Sequence, residues 1–96
     1  MLSEIIIRNI KPKTLAKRRN DIDISADILK IAADGAKKSH IVYRANLNFQ
    51  VVKKYLDRLE NAGLLDFPSV HDRIFKTTSK GMEYLDRYEN LLKYME

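Results

Sequence analysis

The stretch "ANLNFQVVKKYLDRLENAGLL", residues 45–65, divides its apolar and polar side chains between two sides of one helix. At about 100° per residue, the apolar side holds Phe49, Val52, Tyr55, Leu56, Leu59 and Ala62. The polar side holds Gln50, Lys53, Lys54, Asp57, Arg58 and Asn61. Asn48 is suited to cap the helix, Leu47 can pack back on its first turn, and Gly63 marks its end. The stretch therefore predicts a helix over residues 48–62 with one buried and one exposed side.

Two helices are predicted ahead of this stretch. From about Ile22, apolar residues recur at helical spacing, and Gly35 stands where a helix can end in a left-handed residue. Ser39 is expected to cap a second, short helix that runs to Ala45, because its hydroxyl can accept a hydrogen bond from a free backbone N–H. Residues 46–48 are expected to form the turn. Together these two helices would bury the apolar side of the third.

After Gly63 the pattern becomes that of a small hairpin. The segments "LLDF" and "RIFKT" contain strand-forming residues, and "PSVHD" between them contains Pro, Ser and Asp, which favour turns. His71 and Arg73 lie in this predicted wing, where a cation can reach the DNA backbone or a minor groove. Arg73 is the stronger candidate for such a contact.

The last predicted helix carries an apolar stripe of its own. Thr78 is expected to cap this helix, although Gly81 is a poor helix former in the first turn. The stripe consists of Leu85, Tyr88, Leu92 and Met95, flanked by Tyr84 and Leu91. Its spacing is typical of helices that pair with one another, and it exceeds what one small core requires. We therefore predict a homodimer interface at these positions.

The order of these elements is that of a winged helix-turn-helix. The fold class predicted is mainly α (α+β), with a two-stranded wing and a C-terminal dimerisation helix. Residues 1–20 are interpreted as a basic N-terminal arm, residues 21–78 as the winged domain and residues 79–96 as the dimerisation helix. Within the arm, "EIIIRNI" resembles a short strand, and Pro12 interrupts any helix begun before it. In this layout the exposed side of the third helix can enter a major groove, which is wide enough for an α-helix.

Composition favours a single small domain with a polyanionic partner. The chain has 96 residues and no cysteine, so it can fill one core and cannot form disulfides or cysteine-ligated metal sites. No apolar run approaches the roughly 20 residues that a membrane-spanning helix needs. The net charge is +5, and the positive charge gathers in residues 8–20, 37–44 and 53–58. This segregation suits a protein with one nucleic-acid face, although the solvated surface of an ordinary basic protein gives the same composition. We expect a cytoplasmic, nucleoid-associated protein without membrane contact.

The exposed side of the third helix supplies most of the candidate DNA contacts. These are Asn48, Gln50, Lys53, Lys54, Asp57 and Arg58. Amide side chains pair with adenine and cations with guanine or phosphate, whereas Asp57 can accept from cytosine or bridge to a neighbouring cation. Lys37, Lys38 and Arg44 border the second helix and are candidates for phosphate contacts that position the protein without reading sequence. For each residue taken alone, a solvated surface position is an equal alternative.

No pattern in the chain indicates catalysis or metal binding. His40 and His71 are far apart and lack a carboxylate or cysteine at metal-ligand spacing. A nucleophile motif and a Gly-rich phosphate loop are both missing from the sequence, so we expect no enzyme activity, cofactor or metal. Tyr43 and Tyr55 lie on apolar sides and are expected in the core rather than as platforms on which bases stack.

The chain also resembles a known group of proteins. The motifs that carry the resemblance are Gly35-Ala36, Ile41 to Tyr43, Ala45 to Leu47, Tyr55 to Leu59, Gly63-Leu64 and Thr78 to Gly81. Across about residues 22–92 they resemble the small archaeal winged-helix DNA-binding proteins related to the ten-kilodalton chromatin protein that dimerises through a C-terminal coiled coil. The resemblance implies a winged-helix fold, a homodimer paired by the last helix, and double-stranded DNA as ligand. The last helix here is shorter than that coiled coil, and residues 1–20 have no counterpart.

Three functions are weighed on these grounds. The first is a dimeric, double-stranded DNA-binding protein that regulates transcription, with a non-specific chromatin or architectural protein as a variant of it. The second is a winged-helix interaction module that docks on proteins of the transcription machinery. The third is peripheral membrane attachment through "EIIIRNIKPK", which ranks last because its apolar part is too short for strong insertion.

Overall fold

The winged helix-turn-helix layout is confirmed in the computed structural model, which describes residues 19–69 and 71–95. The helices of this part of the chain are α1 (Asp21–Ile31), α2 (Lys38–Ala45), α3 (Phe49–Asn61) and α4 (Ser79–Tyr94). Its strands are β1 (Ala36–Lys37), β2 (Leu65–Ser69) and β3 (Ile74–Thr77). The predicted arm lies outside the described residues except for its last two positions. Within the described ranges, the structure contains no helix with the length and apolar character needed to cross a membrane.

The predicted two-stranded wing is confirmed as the antiparallel pair β2–β3. A short third strand, which was not predicted, extends it to a sheet in the order β1-β3-β2. The added strand, β1, pairs Ala36 with Phe75 and Lys37 with Ile74. A strand of two residues is too short to show any periodicity in the sequence, which is why it was not predicted. The last residue of β3 is joined to α1, because the Thr77 hydroxyl donates a 2.7 Å hydrogen bond to the Leu29 carbonyl oxygen.

The core lies where the three helices of the helix-turn-helix meet. The largest side chains that are fully buried are Ile28, Leu29, Ile41 and Val52, which come from α1, α2 and α3. On α3 the buried residues are Val52, Tyr55, Leu56 and Leu59, as the sequence predicts. Phe49 does not belong to this set, because it is 53% exposed at the start of the helix. Ala62 follows the helix and is also exposed.

Helix α2 begins differently from the prediction. Lys37 occupies the N-cap position and its side chain makes no capping bond, whereas Ser39 lies inside the first turn, so the prediction of a Ser39 cap was wrong. The helix ends as expected, at Asn46, in the left-handed conformation with φ 58°. Tyr43 was predicted in the core but is 81% exposed. It lies two residues from Ile41 and from Ala45, which face inward, so the helical repeat turns it outward.

Helix α4 divides into a packed half and an exposed half. Thr78 caps it by accepting a 3.0 Å hydrogen bond from the Gly81 amide. Leu85 is buried in the hydrophobic core, and Tyr84 and Tyr88 pack against that core. The rest of the predicted dimer stripe is exposed: Leu91 by 59%, Leu92 by 42% and Met95 by 80%. The buried position of Leu85 leaves the second half of α4 as the apolar surface that a partner can reach.

Candidate nucleic-acid interface

The exposed side of α3 presents an amide and two cations near the start of the helix. Gln50, Lys53 and Lys54 are all exposed. Within the part of the chain that the structure describes, Gln50 and Lys54 make no hydrogen bond or ion pair, so their polar groups are available to a ligand. Lys53 forms an ion pair with Asp57, one turn further along, with 3.2 Å between Nζ and Oδ2. Asp57 thus takes the second of its two predicted roles, bridging to a cation.

Asn48 uses its side chain to begin the helix. Its Oδ1 accepts a 2.8 Å hydrogen bond from the backbone amide of Val51, which confirms the predicted N-cap. The capping bond leaves the Asn48 amide NH₂ group as the part of this side chain that can still donate to DNA. Asn48 therefore both fixes the entry of α3 and lies at the helix end that helix-turn-helix proteins direct at base edges.

The far end of α3 is tied to α1 by a small polar network. The Tyr55 hydroxyl donates a 2.5 Å hydrogen bond to Asp21 Oδ1, and the Arg58 guanidinium lies 3.2 Å from Asp21 Oδ2. Arg58 also lies over the Tyr55 ring, 5.1 Å from its centre. The pKa of Asp21 is lowered first by the bond from Tyr55 and then by Arg58. The carboxylate of Asp21 therefore partly neutralises the charge of Arg58, which weakens Arg58 as a candidate phosphate contact.

Two of the predicted cations, Lys38 and Arg44, lie in α2, and Lys37 directly precedes it. The exposed Tyr43 ring lies on the same helix. Lys37 and Arg44 are exposed, and Lys38 lies over the Phe49 ring with 5.7 Å between Nζ and the ring centre. His40 lies three residues before Tyr43 and four before Arg44, so it neighbours both of them on the surface of α2. The Tyr43 hydroxyl can donate to phosphate as Arg44 can, and sequence reasoning missed it because "IVYRA" does not distinguish an inward ring from an outward one.

The wing adds a cation at its turn. Arg73 is exposed and has a left-handed backbone with φ 53°. Between the wing and the starts of α2 and α3 lies an open groove of about 550 Å³. Its lining includes Lys37, Lys38 and Arg73, three of the predicted contacts, together with Phe49. The structure thus brings Lys37, Lys38 and Arg73 together beside the start of α3, whereas Arg44 does not line this groove.

Arg19 has a structural role that the sequence did not indicate. Its guanidinium forms a 2.6 Å ion pair with Asp27 and donates a 2.9 Å hydrogen bond to the Ala45 carbonyl oxygen. In the sequence it belongs to a run of basic residues that looks like a polyanion-binding arm. In the structure it joins α1 to the end of α2 and so holds the two helices that support α3.

Acidic groups concentrate on the other helices. Asp21, Asp23 and Asp27 belong to α1, and Glu83, Asp86 and Glu89 to α4, and these two helices pack on one another. Lys30 of α1 pairs with Glu89 of α4 at 3.2 Å. Within residues 19–69 and 71–95, no group of His, Asp or Glu side chains is arranged to hold a metal ion. The arrangement suits an anionic, extended ligand held by α2, α3 and the wing.

Comparison with known proteins agrees with this geometry. The family model for winged helix-turn-helix proteins matches residues 18–96. The chain is similar to the crystal structure of Sso10a-2, a DNA-binding protein from Sulfolobus solfataricus, with a TM-score of 0.73 and 31% sequence identity. That match covers 80% of this chain and 82% of the other. No curated protein sequence matches the chain.

Proposed function

The chain belongs to the winged helix-turn-helix family and is related to small archaeal winged-helix proteins, and from this premise we propose that it binds double-stranded DNA. In this proposal α3 enters the major groove, and the protein acts as a homodimeric regulator of transcription.

The exposed side of α3 carries the proposal. Gln50, Lys53 and Lys54 are exposed on one side of a helix whose opposite side is buried by α1 and α2. A major groove admits one α-helix, and its base edges offer acceptors to cations and both donors and acceptors to amides. Helix α3 is held by the core on its buried side and carries amides and cations on its exposed side. It can therefore fit the groove and supply partners to the base edges.

Contacts outside the major groove follow from the same orientation. Lys37 precedes α2 and Arg44 lies in its last turn, and helix-turn-helix proteins meet the phosphates beside the groove through this helix. Arg73 at the wing turn would reach the backbone or the next minor groove. These cations would supply affinity, whereas the amides of Asn48 and Gln50 would supply preference for particular bases. A dimer would present two copies of α3 to two half-sites.

A titration of labelled duplex DNA at several salt concentrations tests the proposal. We expect the logarithm of affinity to fall linearly with the logarithm of salt concentration, by about 0.9 for each phosphate contacted. Absence of a complex at low salt would reject DNA binding. A protein partner that survives nuclease treatment would instead favour the interaction module of the transcription machinery.

Selection of bound duplexes from a random pool tests the regulatory role. A regulator should enrich a near-palindromic motif, because two symmetric subunits read the same half-site. Tight binding without an enriched motif would reject site-specific regulation and leave an architectural protein that coats duplex DNA.

A further inference from the structure

The groove beside α3 has a composition that phosphate contacts alone do not explain. Its apolar lining consists of three phenyl rings, from Phe49 of α3, Phe67 of β2 and Phe75 of β3. Its charged lining consists of Lys37, Lys38 and Arg73, and among the described residues no acidic side chain lines it. Its volume of about 550 Å³ lies in the range of about 300–1,000 Å³ found for pockets that hold small ligands.

Two of the three rings stack on each other, and the third is largely exposed. Phe67 and Phe75 stack on each other with their centres 4.5 Å apart and their planes 19° apart. Both of these rings are half-buried, and Phe75 also packs against the core. Phe49 is 53% exposed, although Val52, three residues further along the same helix, is fully buried. Covering an exposed phenyl ring with another planar, apolar surface lowers the free energy of the system.

We propose that this groove binds an unpaired nucleotide, with its base against the phenyl rings and its phosphate beside Lys37 and Arg73. The inference rests on the proposed DNA binding and adds a second ligand class to it. In a regular duplex, neighbouring bases cover both faces of each base, so the rings have nothing to stack on. An unpaired base has free faces, and stacking on aromatic side chains tolerates any base. The groove supplies the aromatic platform and the cationic wall that single-stranded nucleic acid requires.

The experiment compares three DNA ligands by fluorescence anisotropy at one salt concentration. The first is a blunt duplex, the second carries a short single-stranded overhang, and the third carries the same overhang with abasic sites. Stacking of one base is worth about 1–3 kcal/mol, so we expect the overhang to bind about fivefold tighter than the blunt duplex, or more. The abasic overhang keeps the phosphates and loses the bases, and should lose most of that gain.

Two variants locate the gain in the groove. Phe49→Ala and Phe67→Leu should each reduce the advantage of the overhang and leave binding of the blunt duplex nearly unchanged. Ile22→Ala is the matched control, because Ile22 is 59% exposed, close to the 53% of Phe49, and does not line the groove. It should keep the full advantage. Thermal unfolding of each variant checks that the fold is retained, and Phe75 is left intact because it packs against the core.

The outcomes separate this inference from the proposed function. A complex with the blunt duplex and no gain from the overhang would overturn the groove assignment and keep duplex binding. A complex with the overhang alone would reject duplex binding and support the groove. Adenosine monophosphate, added as competitor, distinguishes the sources of the nucleotide. If it removes the gain at micromolar concentration, the site takes free nucleotides, and if it does not, the site takes a nucleotide within a strand. An equal gain from the abasic overhang would overturn base stacking.

Discussion

Gly81 occupies a helical position where the backbone of another segment leaves no room for a side chain. A Cβ at this position would lie closer than 3.0 Å to the Leu64 carbonyl oxygen and to Thr77 Cγ2. The glycine therefore costs helix propensity locally and allows the first turn of α4 to pack against the start of β2. Helix propensity alone would favour alanine at this position, since alanine stabilises a helix interior by about 0.5–1 kcal/mol relative to glycine.

Gly81→Ala should destabilise the protein. We expect a net loss of about 1–2 kcal/mol, because overpacking of about 1–3 kcal/mol exceeds the gain in helix propensity. Urea unfolding at a fixed protein concentration measures it. Ser79→Ala is the control, an exposed position in the same turn where changes stay within about 0.5 kcal/mol. A Gly81→Ala protein more stable than the wild type would contradict the close approach seen here.

Tyr88 makes stability depend on alkaline pH. Its hydroxyl donates a 2.5 Å hydrogen bond to Asp23 Oδ1, and burial, followed by this bond, raises the pKa of Tyr88 above its usual value of 10.0. Above about pH 10 the unfolded chain loses tyrosine protons that the folded protein keeps. The folded state then binds more protons, so the free energy of unfolding falls as pH rises through this range.

Tyr88→Phe should flatten that alkaline loss. At neutral pH the variant should be less stable by about 0.5–1.5 kcal/mol, the usual net value of one hydrogen bond. Between about pH 10 and pH 12 its free energy of unfolding should fall less steeply than that of the wild type, because one tyrosine with a raised pKa is gone. Tyr94→Phe removes a hydroxyl from a side chain that is 89% exposed and serves as control. Parallel curves for Tyr88→Phe and the wild type would refute the linkage.

Single residues with local roles were predictable, and those with distant partners were not. Asn48 and Thr78 cap helices whose first turns follow them directly, so the sequence contains both the cap and the amide that it binds. Tyr55 and Asp21 are 34 residues apart, and Arg19 and the Ala45 carbonyl are 26 apart. Nothing in the spacing of such residues indicates that they meet, because the fold brings them together.

Helix α3 could be read almost completely because its two sides differ sharply in polarity. Its four buried residues and its exposed amide and cations follow directly from a period of about 3.6 residues. The period could not place Phe49, since the start of a helix extends beyond the neighbours that would cover it. Helix α2 has only eight residues, so the orientation of Tyr43 depended on packing that no sequence period records.

Replacing Lys53 and Lys54 together by alanine should weaken DNA binding without unfolding α3. Both side chains are exposed, so stability should change by no more than about 0.5 kcal/mol. If each lysine contacts a phosphate, the slope of log affinity against log salt should decrease by about 1.8. Anisotropy titrations at several salt concentrations measure this slope.

A matched double variant removes the same charge elsewhere. Lys30→Ala with Lys93→Ala takes two cations from α1 and α4, away from the proposed interface. It should leave the slope close to that of the wild type, apart from a weak effect of net charge at long range. If both double variants lost the same affinity, net charge and not α3 would carry the binding.

In the part of the chain that the structure describes, two surfaces are open to a partner. The first is the cationic side formed by α2, α3 and the wing. The second is the end of α4, where apolar side chains continue after the helix has left the core at Tyr88. A helix of 16 residues is marginal as an isolated coiled coil, so pairing there would draw on surface next to the stripe as well. The sequence predicted the stripe, but only the fold separates its buried member, Leu85, from the exposed ones.

Leu91→Lys together with Leu92→Lys should convert the proposed dimer to a folded monomer. Both side chains are exposed in the single chain, by 59% and 42%, so lysines at these positions should not disturb its fold. In the proposed dimer the same lysines would be buried against each other, where their charges would be desolvated and would repel. Light scattering at micromolar concentration measures the mass, and circular dichroism checks the fold. Met82→Lys is the control, since Met82 is 47% exposed on the half of α4 that packs on the core.

The monomer should also lose its preference for two half-sites spaced roughly 34–36 Å apart, while each half-site still binds weakly. A wild-type protein that is monomeric at these concentrations would contradict pairing through α4. Each chain would then bind DNA through its one copy of α3.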